Sequence, residues 1–345
     1  MVTLRDVARA AGVSAATASR ALAAEPGAVA TDRRERVLRA ADELGYRRPG
    51  ATASGPPSRR VGVIVPDMEN PFFSGVVKGI GHRARDAGVT VFVADSDEDS
   101  RVEADLVRQL ASQVDGLVLC SPRMSDDALA ALPGDLAVVL LNREAPGLPS
   151  IVVDNSDGVR QALEHVHALG HRRIAYAGGP VDSWSDRERR RGLAAAVAAL
   201  PDVDVVQLGH FPAAFSGGVA AADLVVATGA SAVIAHNDLV ALGVLDRLRA
   251  RGVDVPGRVS VVGFDDVPAA TQVSPALTTV GIPIRTLGRT AVDLLLELAP
   301  RPAGPRPTPQ VRRIAVSLVV RGSTGPAPAP GPRTDLTLPT KAGHA

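Results

Sequence analysis

At 345 residues, 46% hydrophobic and 22% charged, the chain has material for two or three soluble cores, and it lacks the run of about 18 apolar residues that crosses a membrane. Its start, Met1-Val2-Thr3-Leu4-Arg5-Asp6, is not a secretory signal, and the lone Cys120 cannot close an internal disulfide, so a cytoplasmic location is expected. The net charge of +1 hides an asymmetry: residues 1–60 hold eleven arginines against six carboxylates, a basic head that suits either an anionic partner or plain solvation.

Residues 1–48 read as three short helices. Thr3 with Asp6 is an N-cap pattern, and Leu4, Val7 and Ala8 follow at helical spacing. Ala11-Gly12-Val13 is a tight turn, and Ser14 caps a helix over 15–23 with Ala18 and Leu22 inward. Thr31 caps a third helix whose inner face is Val37, Leu38, Ala41 and Leu44, stopped by Gly45. Residues 49–60, rich in Gly, Pro and Ser, read as a linker.

From Val61 the pattern changes to alternating strands and helices. Apolar strand-like runs fall at 61–65, 89–94, 114–120, 136–141, 151–153, 174–177, 203–208, 232–235, 259–264 and 277–280. Helical stretches fall between several of them, at 74–87, 101–112, 157–169, 186–199, 217–228 and 238–251. Continuous Val/Ile/Leu strands alternating with helices predict parallel sheets covered on both faces. Their number exceeds one comfortable sheet, so two doubly wound lobes are expected over 61–322, with ligand outside the carboxyl ends of the strands. The Pro/Gly-rich residues 323–345 read as a disordered tail without a leucine heptad.

The segment from Asp6 to Arg20 supplies what a helix-turn-helix needs: a small-residue turn, then polar groups opening a second helix that enters the major groove. Ser14, Thr17 and Ser19 suit phosphates, and Arg20 suits phosphate or the O6/N7 edge of guanine. An ordinary capped helical hairpin is the alternative reading of that pattern.

With Val2-Thr3-Leu4-Arg5-Asp6-Val7-Ala8, Ala11-Gly12-Val13-Ser14, Thr17, Ser19-Arg20, Arg34-Glu35-Arg36-Val37 and Leu44-Gly45-Tyr46, the head resembles the LacI/GalR family of bacterial repressors. The resemblance implies a sequence-specific transcriptional regulator acting as a repressor. Its DNA contacts would come from Thr3, Leu4, Ser14, Ala15, Ala16, Thr17, Ser19, Arg20 and Tyr46. The two base-reading positions after Ser14 are alanines, which offer methyl surface suited to a thymine methyl. One departure concerns the hinge helix that usually follows such heads: Gly50, Gly55, Pro56 and Pro57 oppose a helix, so a flexible tether is expected.

The resemblance continues to about Ser323 through Val61-Gly62-Val63-Ile64-Val65-Pro66-Asp67, Asn70-Pro71-Phe72-Phe73, Leu169-Gly170-His171-Arg172-Arg173, Asn237-Asp238 and Val262-Gly263-Phe264-Asp265-Asp266. It implies a periplasmic-binding-protein-like sensor holding a small polar effector, a sugar or sugar derivative, between its lobes. Phe72, Phe73 and Phe211 would supply apolar faces, and Arg189, Asn237 and Asp265 polar contacts on the second lobe. Core packing is the alternative for the Phe pair, a solvated helix charge for Arg189, and a strand-end cap for Asp265. Asn142 and Arg143 end another strand, facing either the cleft or an exposed loop. By resemblance the chain is a homodimer on a near-palindromic operator.

Enzyme readings find no support. There is no G-x-G-x-x-G, no Walker-type G-K-[ST] and no G-x-S-x-G elbow. His165 and His167, two apart on a predicted helix, make a poor metal pair. No cofactor or metal is expected.

Overall fold

The computed structural model describes residues 3–22, 29–44, 59–133, 136–298 and 310–329. The chain divides into two units, Met1–Ser58 and Arg59–Ala345. In the first, α1 (Leu4–Ala10), α2 (Ala15–Leu22) and α3 (Thr31–Glu43) close on Val7, Ala8, Ala11, Ala18, Ala21, Val37, Ala40 and Ala41. The Asp6 carboxylate accepts from the Thr3 amide at 2.9 Å and hydroxyl at 2.6 Å, which fixes the start of α1. Gly12, at φ +65°, makes the turn into α2. There Ser14 Oγ accepts the Thr17 amide at 3.1 Å.

Two expectations in the head are corrected. The third helix is started by the Ala30 carbonyl, which accepts from the Arg33 and Arg34 amides, so Thr31 is its first residue, not its cap. Leu38 and Leu44 are 44% and 38% exposed, and Ala40 takes an inner position instead. On α3 the buried stripe runs through Val37, Ala40 and Ala41, and Leu38 lies one residue off it. On α2 Ala18 is buried and Leu22 packs against the core as expected, and Ala21 joins them fully buried. Gly45, Tyr46 and linker residues 49–58 lie outside the described residues; Arg60, assigned to the linker, opens the first strand.

The second unit has two lobes. Lobe 1 carries β1 (Arg60–Val65), α4 (Pro71–Asp86), β2 (Thr90–Asp95), α5 (Ser100–Ala111), β3 (Gly116–Cys120), α6 (Asp126–Ala130), β4 (Ala137–Leu141) and β5 (Ser150–Val153). The chain then crosses to lobe 2 for α7 (Asn155–Ala168), β6 (Arg173–Gly178), α8 (Trp184–Ala198), β7 (Asp204–His210), α9 (Phe215–Thr228), β8 (Ala232–Ala235), α10 (Asp238–Ala250), β9 (Ser260–Asp265) and β10 (Thr278–Gly281). It returns for α11 (Ile284–Leu298) and β11 (Val311–Ile314), and crosses a third time into β12 (Ser317–Val319).

The sheets run β11-β5-β4-β3-β1-β2 and β12-β10-β9-β8-β6-β7, every pairing parallel except β10 with β12. The inner strands β3 and β9 are buried along their whole length, as continuous apolar runs require. At the crossings the Asp154 amide bonds the Ile314 carbonyl, and Gln161 ties α7 to Val316 and Leu318. The strand reading from sequence ended at 280; β11 and β12 are too short and too exposed to carry an apolar signal.

Residues 323–329, read from sequence as part of a disordered tail, are held by specific bonds. Ser323 is fully buried, its hydroxyl donating to the Val261 carbonyl at 2.6 Å and accepting the Thr278 amide at 2.8 Å. The Gly325 carbonyl lies 3.1 Å from His171 Nε2, and the Ala327 amide bonds the Leu169 carbonyl. A Pro/Gly-rich composition forbids a regular strand here, but not a strap whose backbone groups are captured one by one. Residues 330–345 lie outside the described set.

Candidate functional site

In the head, α2 buries Ala18 and Ala21 and leaves Ser14, Ala15, Ala16 and Arg20 exposed, with Thr17 and Ser19 half-buried. Ser14 and Thr17 also bond each other, Oγ to Oγ1, at 2.8 Å. The exposed start of the helix is therefore two methyl groups flanked by hydroxyls, with an arginine one turn on. Thr3 is exposed beside α1, while Leu4 is packed against the head core and offers little side chain outward.

In the second unit, backbone strain marks the ends of strands. Among the described residues, the non-glycines at positive φ are Asp97, Glu98, Ser121, Asn142, Asp265 and Asp266. They end or follow β2, β3, β4 and β9. Left-handed backbone at non-glycine positions is costly and concentrates where side chains must be aimed.

Two of them are Asn142 and Asp265. Asn142 is 6% exposed, donates Nδ2 to Ser121 Oγ at 3.0 Å, and keeps a shielded Oδ1 with no partner. It is therefore not on an exposed loop. Asp265 is 5% exposed, and among the described residues no hydrogen bond ends on its carboxylate. Burial pushes its pKa well up; the Arg189 charge opposes that and Asp238 adds to it.

Arg189 is 3% exposed, so it is no solvated helix charge. Its Nε donates to Asn155 Oδ1 at 2.9 Å, one Nη to the His236 carbonyl, and its guanidinium lies 3.6 Å over the Phe264 ring. Asn237 is spent on structure: Oδ1 caps α10 at the Val240 amide and Nδ2 holds the Ala213 carbonyl, both at 2.9 Å. Phe72 and Phe73 open α4 inside the core, edge to face at 5.1 Å, which is the packing alternative. Phe211 is half-buried against the lobe 2 core.

A cavity of about 560 Å³ lies at the lobe boundary, with Arg123 and Arg143 from lobe 1 and Asp182 and Arg187 from lobe 2 among its lining residues. Arg123 grips Glu98 with two nitrogens, at 2.7 and 3.0 Å. Arg143 donates to the Pro122 and Met124 carbonyls and to Asp126.

Sequence reading missed a buried carboxylate that gathers several donors. Asp186, 1% exposed, accepts from Tyr176 Oη and the Gly179 amide at 2.8 Å, Arg190 Nε at 2.7 Å and His236 Nδ1 at 3.2 Å. Burial alone would raise its pKa, but these donors outweigh burial and hold the carboxyl well below the usual range. Burial brings His236 down to about 4, against the pull of Asp186. Fifty residues separate Asp186 from His236, and nothing local in the sequence pairs them.

His236 is thus neutral in the folded protein at neutral pH. The unfolded chain takes its proton near 6.5, the folded protein only near 4. Stability is full above the first value and declines as pH falls toward the second, by about 3 kcal/mol at the lower end. Melting temperature is expected to drop across that window, and His236→Gln should remove much of the drop. An identical slope in wild type and variant would contradict the assignment.

Comparison with known proteins places this geometry in a family. Residues 3–49 match the bacterial regulatory proteins of the lacI family, and residues 163–324 match the periplasmic binding protein-like domain. The chain is 35% identical over 342 residues to the HTH-type transcriptional regulator MalR of Streptomyces coelicolor, covering 94% of this chain and 97% of that one. It superimposes on the lac repressor dimer bound to operator and the anti-inducer ONPF with a TM-score of 0.77 at 30% identity, over 94% and 99% of the two chains. For the transcriptional regulator CelR–cellobiose complex the TM-score is 0.68 at 31% identity, over 94% and 100%. A three-helix head with its second helix exposed at the start, a two-lobed parallel-sheet sensor, and these full-length similarities lead to one conclusion: the chain belongs to the LacI family of DNA-binding transcriptional regulators.

Proposed function

We propose that the protein is a repressor whose hold on a near-palindromic operator is set by a sugar or sugar derivative bound between the two lobes. Ser14, Ala15, Ala16, Thr17, Ser19 and Arg20 meet the duplex; Arg189, Asp265 and Asn142 meet the effector. The observation that carries the effector reading is a buried, strained Asp265 carboxyl at the end of β9, within electrostatic reach of the buried Arg189 of α8. Hydrogen-bonding groups held in fixed directions suit a polyhydroxyl ligand. The ligands of the neighbours, cellobiose for CelR and ONPF for the lac repressor, support it.

The reading is tested by titrating the full chain with sugars while following the fluorescence of Trp184. This is the chain's single tryptophan, and it lines a second cavity with Glu144 and Leu148 of the other lobe. A saturable change, together with a shift in DNA affinity, is expected. Sugars that leave both unchanged count against it.

Dimerisation is part of the proposal, since two heads on a twofold axis read two half-sites. Two apolar surfaces support it. The edge strand β2 exposes Phe92 and Val93, and an 880 Å³ groove on lobe 2 is lined by Phe215, Leu242, Leu245, Val273 and Pro275. The lac repressor neighbour is a dimer. Phe215→Asp, at the exposed first residue of α9, should leave the fold intact and yield a monomer by sedimentation. A variant that still sediments as a dimer rules out this groove as the interface.

A further inference from the structure

Among the described residues no donor holds the Asp265 carboxyl, so its direction is set by the backbone that carries it. That backbone is strained. Asp265 and Asp266 follow one another at φ +122° and +62°, where β9 ends. Two left-handed non-glycines in succession persist only where their surroundings hold them. One hold comes from α10: Asp238 Oδ2 accepts the Val267 amide at 2.8 Å, and Asp238 Oδ1 accepts Thr279 Oγ1 at 2.5 Å. The Asp265 carbonyl accepts the Ile282 amide at a longer 3.3 Å.

A second hold comes from the far end of the chain. Arg321, two residues past β12, donates Nη2 to Asp266 Oδ1 at 2.6 Å and Nη1 to the Leu277 carbonyl at 2.9 Å. One guanidinium thus ties the turn after β9 to the start of β10. Arg321 is itself fixed, because its amide donates to Thr278 Oγ1 at 2.9 Å, and that hydroxyl lies 3.0 Å from Thr324 Oγ1. The Arg321–Asp266 pair is largely shielded, its side chains 17% and 32% exposed. A planar guanidinium bonded on two sides fixes direction as well as distance.

We infer that Arg321 is a positioning residue of the effector site: through Asp266 it keeps the Asp265 carboxyl in its binding direction without touching the ligand. This rests on the assignment of Asp265 to the effector in the reading above, and adds the residue that makes its strained backbone usable. A site held loosely by its supporting groups loses affinity even when every contacting side chain is present. An arginine that only stiffened lobe 2 would change melting temperature and leave affinity alone. Ser323, two residues further on, serves as the comparison, since its hydroxyl holds Val261 and Thr278 and not the turn.

The test is calorimetry on the full chain, well below its melting temperature, with whichever of ribose, glucose, cellobiose and maltose gives saturable heat with wild type. Arg321→Gln is expected to weaken that sugar about tenfold. Ser323→Ala should lower the melting temperature and keep the affinity within about twofold. Wild-type affinity in Arg321→Gln, or equal weakening in Ser323→Ala, overturns the inference. If Arg321→Gln does not fold, Asp266→Asn carries the test: asparagine suits φ +62°, keeps the shape and drops the charge. It should weaken the sugar about threefold or more, and wild-type affinity there overturns the inference. Asp265→Asn separates the two levels. Weakened binding in Asp265→Asn beside full binding in Arg321→Gln removes Arg321 alone. Full binding in Asp265→Asn, or heat from none of the four sugars with wild type, removes the effector reading and the inference with it.

Discussion

Asp265→Asn is expected to weaken effector binding about tenfold or more and to leave operator binding by the effector-free protein within about twofold. Asparagine is the right probe because Asp265 sits at φ +122°, a conformation that alanine adopts only with strain. Asn keeps the shape but puts a fixed N–H donor where a carboxyl oxygen stood. A hydroxyl that donated to the carboxylate would then face an N–H. Leaving a buried polar group without its partner costs about 1–3 kcal/mol, and here the loss falls in a site only 5% exposed. The fold should tolerate the change, since no hydrogen bond among the described residues depends on that side chain. Calorimetry decides it: equal sugar affinity in variant and wild type moves the effector elsewhere, and a large drop in melting temperature means that Asp265 serves the fold.

Arg20→Ala should cost specific operator affinity about 10- to 100-fold at matched salt, the range for one bidentate arginine–guanine contact. Arg20 is exposed on the last turn of α2 and takes no part in the packing of Ala18 and Ala21. The head should therefore keep its stability. With alanines at 15 and 16, the base-reading face has little polar chemistry beyond Arg20, so one substitution should erase most discrimination between sequences. If Arg20 only touches phosphate, affinity falls equally for all duplexes and the salt slope drops by about one unit. Competition between operator and scrambled duplex separates the outcomes. An unchanged preference for operator excludes Arg20 as a base reader.

Much of this architecture was legible as pattern. Runs such as Leu117–Cys120 and Val261–Phe264 are apolar at every step because both faces of their strands are covered, and that identifies inner parallel strands without alignment. The capping residues Thr3 and Ser14 lie where the chain turns into helices. What escaped was anything decided by partners far along the chain. Asn237 reads as a ligand donor until its two polar atoms are seen to be spent on Val240 and Ala213. Phe72 and Phe73 follow a proline in a loop-like context, yet the first turn of α4 carries them inward. The Ser323 hydroxyl, in a segment of disordered composition, is captured by Val261 and Thr278. His236 meets Asp186 only in the fold. Local composition reports propensity; it does not report which polar groups remain unspent after packing, and those define the cleft.

The most direct measurement is selection of duplexes from a random library by the full chain, with the selected duplex then titrated with and without a saturating sugar. A near-palindromic motif should emerge, with an affinity that changes about tenfold or more when the cleft is filled. Recovery of duplexes with no common sequence, or a motif bound equally well at every sugar concentration, would contradict the link between the exposed start of α2 and the space between the lobes.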